Sequence, residues 1–112
     1  MIHNLTMGHF DPEAVVERQA VALRALDRKL VTHLLHEMGE RDSEGRDTLD
    51  GLPVDYKDGC VVARWMVGSF RNRKAEEFAV RLHQRTGCLI ADREHGRLIE
   101  PEHLREEKKA AG

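Results

Sequence analysis

Apolar residues recur every three to four positions between Val16 and Met38. Val16, Ala20, Leu23, Leu26, Leu30, Leu34 and Met38 fall on one helical stripe, which Val21, Val31 and Leu35 widen at its side. Ahead of it, Asp11-Pro12-Glu13 supplies a capping carboxylate, a proline suited to the first helical position and an acid for the positive end of the dipole, while Gly39 offers a stop. The pattern predicts one long N-terminal helix. Asp27 interrupts the stripe, and an edge position or a buried hydrogen bond would accommodate it. The stripe is wider than one sheet face requires, so a second packing surface is expected, most simply another copy of the chain. Val21, Val31 and Leu35 would then lie at a dimer interface.

The period changes after residue 51. Leu52 to Tyr56 reads as a strand that Pro53 confines to an edge, and Lys57-Asp58-Gly59 turns it into a second strand from Cys60 to about Gly68. Ser69 or Asn72 can cap a helix bearing Ala75, Phe78, Ala79, Leu82 and Thr86 on one face and ending at Gly87. Cys88 to Ala91 and Arg97 to Glu100 form a last hairpin around Asp92–Gly96, and Pro101 ends it. Gly59-Cys60-Val61-Val62-Ala63-Arg64 is echoed by Gly87-Cys88-Leu89-Ile90-Ala91-Asp92, a strand, helix, strand unit with matched starts. If those strands are neighbours they are parallel, with Cys60 beside Cys88 and Arg64 beside Asp92.

The fold expected is therefore α+β: a long N-terminal helix, then ββαββ, with the helices on one face of a roughly four-stranded mixed sheet. Residues 1–112 would form a single domain, with an N-terminal segment over 1–10, a mobile charged loop over 40–51 and a charged tail over 102–112. Hydrophobic content of 40% beside 34% charged residues is globular, and 4% aromatic content makes the core mainly aliphatic. The net charge of -2 argues against bulk attraction to nucleic acid or anionic membrane. The charge is uneven, however: residues 1–58 carry 7 basic and 12 acidic side chains (-5), and residues 59–112 carry 11 and 8 (+3). An anionic partner would meet the second half. The opening residues carry no secretory pattern and no apolar run approaches the ~20 residues of a membrane span, which predicts a soluble cytoplasmic protein.

The most suggestive chemistry lies at the start of the second helix, where Arg71, Asn72, Arg73 and Lys74 follow Arg64 with no intervening acid. Cations there oppose the helix dipole by roughly 0.3 to 1 kcal/mol each, whereas a bound phosphate or carboxylate would be welcomed by free backbone N–H groups and guanidinium forks. The bland reading is a solvated helix start with an Arg73–Glu77 pair. His33, His36 and Glu37 share a helical side but lack a third ligand, so no metal is assigned to them. Cys60 and Cys88 read as buried free thiols. Asp92, Glu94 and His95 form a conceivable acid/base group that a polar turn explains equally well. No cofactor, catalytic constellation or metal site is assigned.

These features favour a small non-enzymatic binding protein, homodimeric, that recognises an acidic or phosphate-bearing partner through Arg64, Arg71, Asn72, Arg73 and Lys74. The alternatives are a nucleic-acid-binding module using those cations on phosphates, and a small enzyme or ligand-binding domain whose pocket is assembled from residues distant in sequence.

Overall fold

The computed structural model describes residues 2–66 and 72–104. Ten elements follow one another: β1 (Ile2–Gly8), α1 (Pro12–Val16), α2 (Arg28–Met38), β2 (Glu40–Arg41), β3 (Asp47–Leu49), β4 (Leu52–Lys57), β5 (Cys60–Met66), α3 (Arg73–Thr86), β6 (Leu89–Asp92) and β7 (Arg97–Leu98). A helical turn over 101–104 closes the described chain. The seven strands form one sheet in the order β2-β3-β4-β5-β1-β6-β7. Every pair in it is antiparallel.

This α+β architecture departs from the expected one in four ways, each with a physical cause. The long N-terminal helix is absent. Arg18 adopts the left-handed region (φ 61°), which costs a non-glycine residue on the order of 1 kcal/mol, and the helix that begins at Pro12 ends there. The irregular stretch that follows is tied down by backbone bonds: Leu23 N–H donates to His9 O at 2.8 Å and Leu26 N–H to Gly59 O at 2.9 Å. Helix resumes at Arg28 because Asp27, the misfit in the apolar stripe, is its N-cap and accepts from Lys29 N–H at 2.9 Å.

The sheet is larger than four strands and is antiparallel throughout. Residues 2–8, expected only as an N-terminal segment, form its central strand. The charged 40–51 region contributes β2 and β3, joined by a turn in which Asp42 Oδ1 accepts from both Glu44 and Arg46 N–H at 2.9 Å. Those bonds, with Arg46 at 3.0 Å on Oδ2, hold the Asp42 carboxyl below its usual range.

The strand, helix, strand unit is split. β5 and β6 run parallel to each other, yet β1 lies between them. Asn4 pairs with Arg64 and Thr6 with Ala91, so neither Cys60 and Cys88 nor Arg64 and Asp92 are lateral neighbours.

Finally, the helices do not share one face. α2 and α3 cover one side, enclosing a core of Leu5, Met7, Val31, Leu34, Leu49, Val61, Phe78, Leu82, Cys88 and Ile90. α1 packs on the other side, where Phe10, Val15, Ala20, Cys60 and Ala91 form a smaller core. The width of the α2 stripe is thereby explained within one chain, since Val31 and Leu35 are 1% and 6% exposed.

Two connections follow local chemistry closely. Asp58 (φ 53°) and Gly59 (φ 79°) make the two-residue turn between β4 and β5. Asn72 caps α3 by accepting from Ala75 N–H at 3.0 Å, and Gly87 ends it in the left-handed region (φ 73°).

Candidate functional site

Strand alternation gives β1 two chemically different faces. His3, Leu5 and Met7 point toward α2 and α3, while Asn4 and Thr6 point the other way. Toward the sheet end where β1 begins, the first face changes from aliphatic to polar. His3 pairs with Trp65 on β5, the two rings 6.0 Å apart. On the other flank, continuing the Thr6–Ala91 register places Asp92 level with Leu5, so His3 and Asp92 are diagonal neighbours.

The β6–β7 hairpin completes the group. Asp92 pairs with Arg97 across its base, and Asp92 Oδ1 accepts from His95 N–H at 3.3 Å. His95 is thereby folded back, its Nδ1 2.8 Å from Asp92 Oδ2 and its ring 5.0 Å from that of His3. His3 Nδ1 stands 3.3 Å from the same oxygen, and Arg97 Nη2 at 3.9 Å. Asp92 is 1% exposed. A carboxylate so buried needs partners, and here three nitrogens face one oxygen. That oxygen does not satisfy them all: His3 Nδ1 is buried and makes no hydrogen bond. One ligand atom from each of His3, Asp92 and His95 lies within 4.8 Å of the others, a set able to hold a metal ion.

The surroundings fix this geometry. Trp65 Nε1 donates to the buried Glu76 at 2.8 Å, which orients the ring beside His3. The hairpin is seated on α1: Gly96 (φ 63°) lies so close that a Cβ there would stand 2.8 Å from Val16 O. Among the described residues this group includes two of the three side chains flagged in the last turn. Glu94, the third, turns to the opposite face, where it accepts from Asn4 Nδ2 at 3.2 Å. His3 carries no signal by itself, being one polar residue in an alternating strand far from Asp92 in sequence.

The basic residues singled out in the sequence are placed apart. Asn72 is 2% exposed and its amide is spent internally, with Oδ1 on Ala75 N–H and Nδ2 on Leu49 O at 3.0 Å and Arg64 O at 2.9 Å. The Lys74 N–H is met by Asp50 Oδ2 at 3.3 Å. Arg73 is exposed at the start of α3, Arg64 is exposed on β5, and Arg71 lies outside the described residues. Of the three proposed interface residues Val21 alone is exposed, at 69%. His33 and Glu37 form an exposed ion pair at 2.9 Å, and His36 faces Arg41 at 3.3 Å. Cys60 and Cys88 are free and buried, and burial pushes both thiols up.

Among the described residues no helix is long and apolar enough to cross a membrane. Comparison with known proteins gives no match to a family model, a curated protein or a solved structure. The class rests on the geometry alone: a small α+β domain with a His2Asp cluster at one end of its sheet.

Proposed function

We propose that this domain binds a divalent transition metal of the zinc class at His3, Asp92 and His95. The observation that carries the reading is the convergence of two imidazole nitrogens on one buried carboxylate oxygen, the His3 nitrogen without a hydrogen bond. A cation among them would satisfy all three groups at once. Zinc takes imidazole nitrogen and carboxylate oxygen at about 2.0 to 2.2 Å, which sets neighbouring ligands of a tetrahedral site roughly 3.3 Å apart. The His3–Asp92 separation is 3.3 Å, and the His95–Asp92 separation of 2.8 Å would open slightly on binding. Two nitrogens and one oxygen suit zinc better than magnesium or calcium, which prefer all-oxygen shells. The His95 side chain is 49% exposed, which leaves the fourth position accessible to water or to a ligand from a partner. Binding requires both Nδ1 atoms to be free of protons, so acid weakens it.

The test is a zinc titration of the untagged protein against a chromophoric chelator, with fluorescence followed in parallel. Trp65 is the single tryptophan and sits 6.0 Å from the His3 ring, so it reports on the site directly. One equivalent should bind, and Asp92→Asn or His3→Gln should abolish binding. His33→Gln should leave it intact. Zinc binding that survives Asp92→Asn but disappears in His33→Gln would assign the metal to the surface of α2 and sink the proposal.

Association with a second copy or with an acidic partner is a separate proposal. Its support is the exposure of Val16, Val21 and Leu23, at 63%, 69% and 70%, together with that of Arg64 and Arg73. A strictly monomeric mass at high protein concentration would remove the first part, and unchanged partner capture by Arg64→Glu/Arg73→Glu the second.

A further inference from the structure

The opposite face of β1 lines a cleft of its own. Asn4, Thr6 and Val62 form its floor, the Val15–Ala20 segment one wall, and Arg93 and Glu94 the other, around a cavity of about 320 Å³. That is at the small end of the range for ligand pockets, enough for a compact metabolite. Its chemistry is mixed in a particular way. Arg18 and Arg93 bring two basic side chains, Glu94 a carboxylate, Asn4 and Thr6 neutral polar groups, and Val62 a small apolar surface backed by the buried Val15 and Ala20.

Two details suggest a prepared site. Arg93 is held in place, its Nη2 donating to Ala20 O at 2.6 Å and its guanidinium lying 5.6 Å from the centre of the Phe10 ring. Its remaining N–H groups stay available for an anion. Arg18 occupies a left-handed backbone position that favours glycine, so its side chain is carried on the cleft wall at a conformational cost. On the facing side, Glu94 uses one oxygen for Asn4 and keeps the other.

We infer that this cleft binds a small zwitterion of the α-amino-acid class with a short aliphatic side chain. Its carboxylate would sit on Arg18 and Arg93, its ammonium on Glu94, and its short alkyl group against Val62, with the buried Val15 and Ala20 behind it. A simple anion would leave Glu94 facing it unfavourably, and a simple cation would meet two arginines. Only a ligand carrying both charges uses every group that lines the cavity. The inference is independent of the metal proposal, because the two sites lie on opposite faces of β1.

The experiment is titration calorimetry with L-valine, isobutyrate and isobutylamine in the presence of chelator, paired with amide shift mapping by NMR. Valine should bind saturably, with shifts centred on Thr6, Val62 and Glu94. Each of the singly charged probes should bind at least about tenfold more weakly, the loss expected for one charge-assisted contact. Arg18→Met and Glu94→Gln, both at exposed positions, should each weaken valine by roughly tenfold. Isobutyrate binding as tightly as valine would overturn the zwitterion assignment, as would valine binding unchanged in Glu94→Gln. So would the absence of any valine response up to millimolar concentration.

Discussion

The two faces of β1 differ in what each side chain is for. On the α2/α3 face, Leu5 and Met7 are 0% exposed inside a large aliphatic core, and the polar group at its end consists of side chains that point at one another. On the α1 face, the core is small, and the half-buried Asn4 and the almost fully buried Thr6 lie at the floor of a cleft. One strand thus supplies two imidazoles converging on a buried carboxylate on one side and an open cleft on the other. The alternation of side chains along a strand is enough to separate the two, since adjacent residues never share an environment.

The largest expected effect is a contrast between neighbours. Leu5→Ala should cost about 2 to 5 kcal/mol, because it leaves a cavity among Met7, Phe78 and their surroundings. Thr6→Val leaves no cavity on the other face and exchanges one hydroxyl for a methyl, so it should cost less, about the 0.5 to 1.5 kcal/mol of one hydrogen bond. Denaturant unfolding of both variants checks this, and equal losses would mean that the faces are wrongly assigned. The next effect separates the two sites. Zinc at a hundred times its Kd should stabilise the protein by about 2.7 kcal/mol. That gain should vanish in Asp92→Asn and persist in Arg18→Met.

The hairpin between β6 and β7 is where the faces are joined, since Asp92 and His95 serve one and Arg93 and Glu94 the other. Gly96→Ala attacks that joint. It places a Cβ 2.8 Å from Val16 O on a backbone at φ 63°, so the turn must shift away from α1. A loss on the order of 1 to 3 kcal/mol is expected, with zinc and valine binding both weakened. An effect on one ligand alone would show that the hairpin does not couple the two sites.

What could be read from the sequence follows the same division between local and distant chemistry. From Leu52 onward the elements are marked by neighbouring residues: Asp58-Gly59 for a tight turn, Asn72 for a cap, and Gly87 for a left-handed stop. The first half misled because its apolar spacing remains helical through Arg18 and Asp27, although the backbone is not helical there. Asp27 was the available signal, since an acid within an apolar stripe and ahead of Arg28-Lys29-Leu30 is better used as a cap. In 40–51, composition suggested a loop, yet one aspartate is enough to organise the turn of a hairpin. For the site, Asp92 and His95 were visible as neighbours, but His3 joins them only through the insertion of β1 beside β6. No periodicity specifies that non-local pairing.

The smallest effect uses the two cysteines, one in each core. Cys60 belongs to the α1-side core and Cys88 to the α2/α3-side core. Burial is the main cause that raises both thiols above the ordinary value of 9.0, while Arg93 partly offsets it at Cys60 and the Thr86 hydroxyl at Cys88. An unfolded chain releases these protons near 9.0, whereas the folded chain keeps them to higher pH. Folded-state stability is therefore fully present at neutral pH and declines as pH rises through that interval. Unfolding midpoints measured across the alkaline range should fall more gently in Cys60→Ala and in Cys88→Ala than in the parent, and most gently in the double variant. The slope matters here, since the lost packing lowers stability equally at every pH. If the double variant keeps the parent's slope, both thiols titrate as they would in water, and neither core is as dry as the burial of these residues requires.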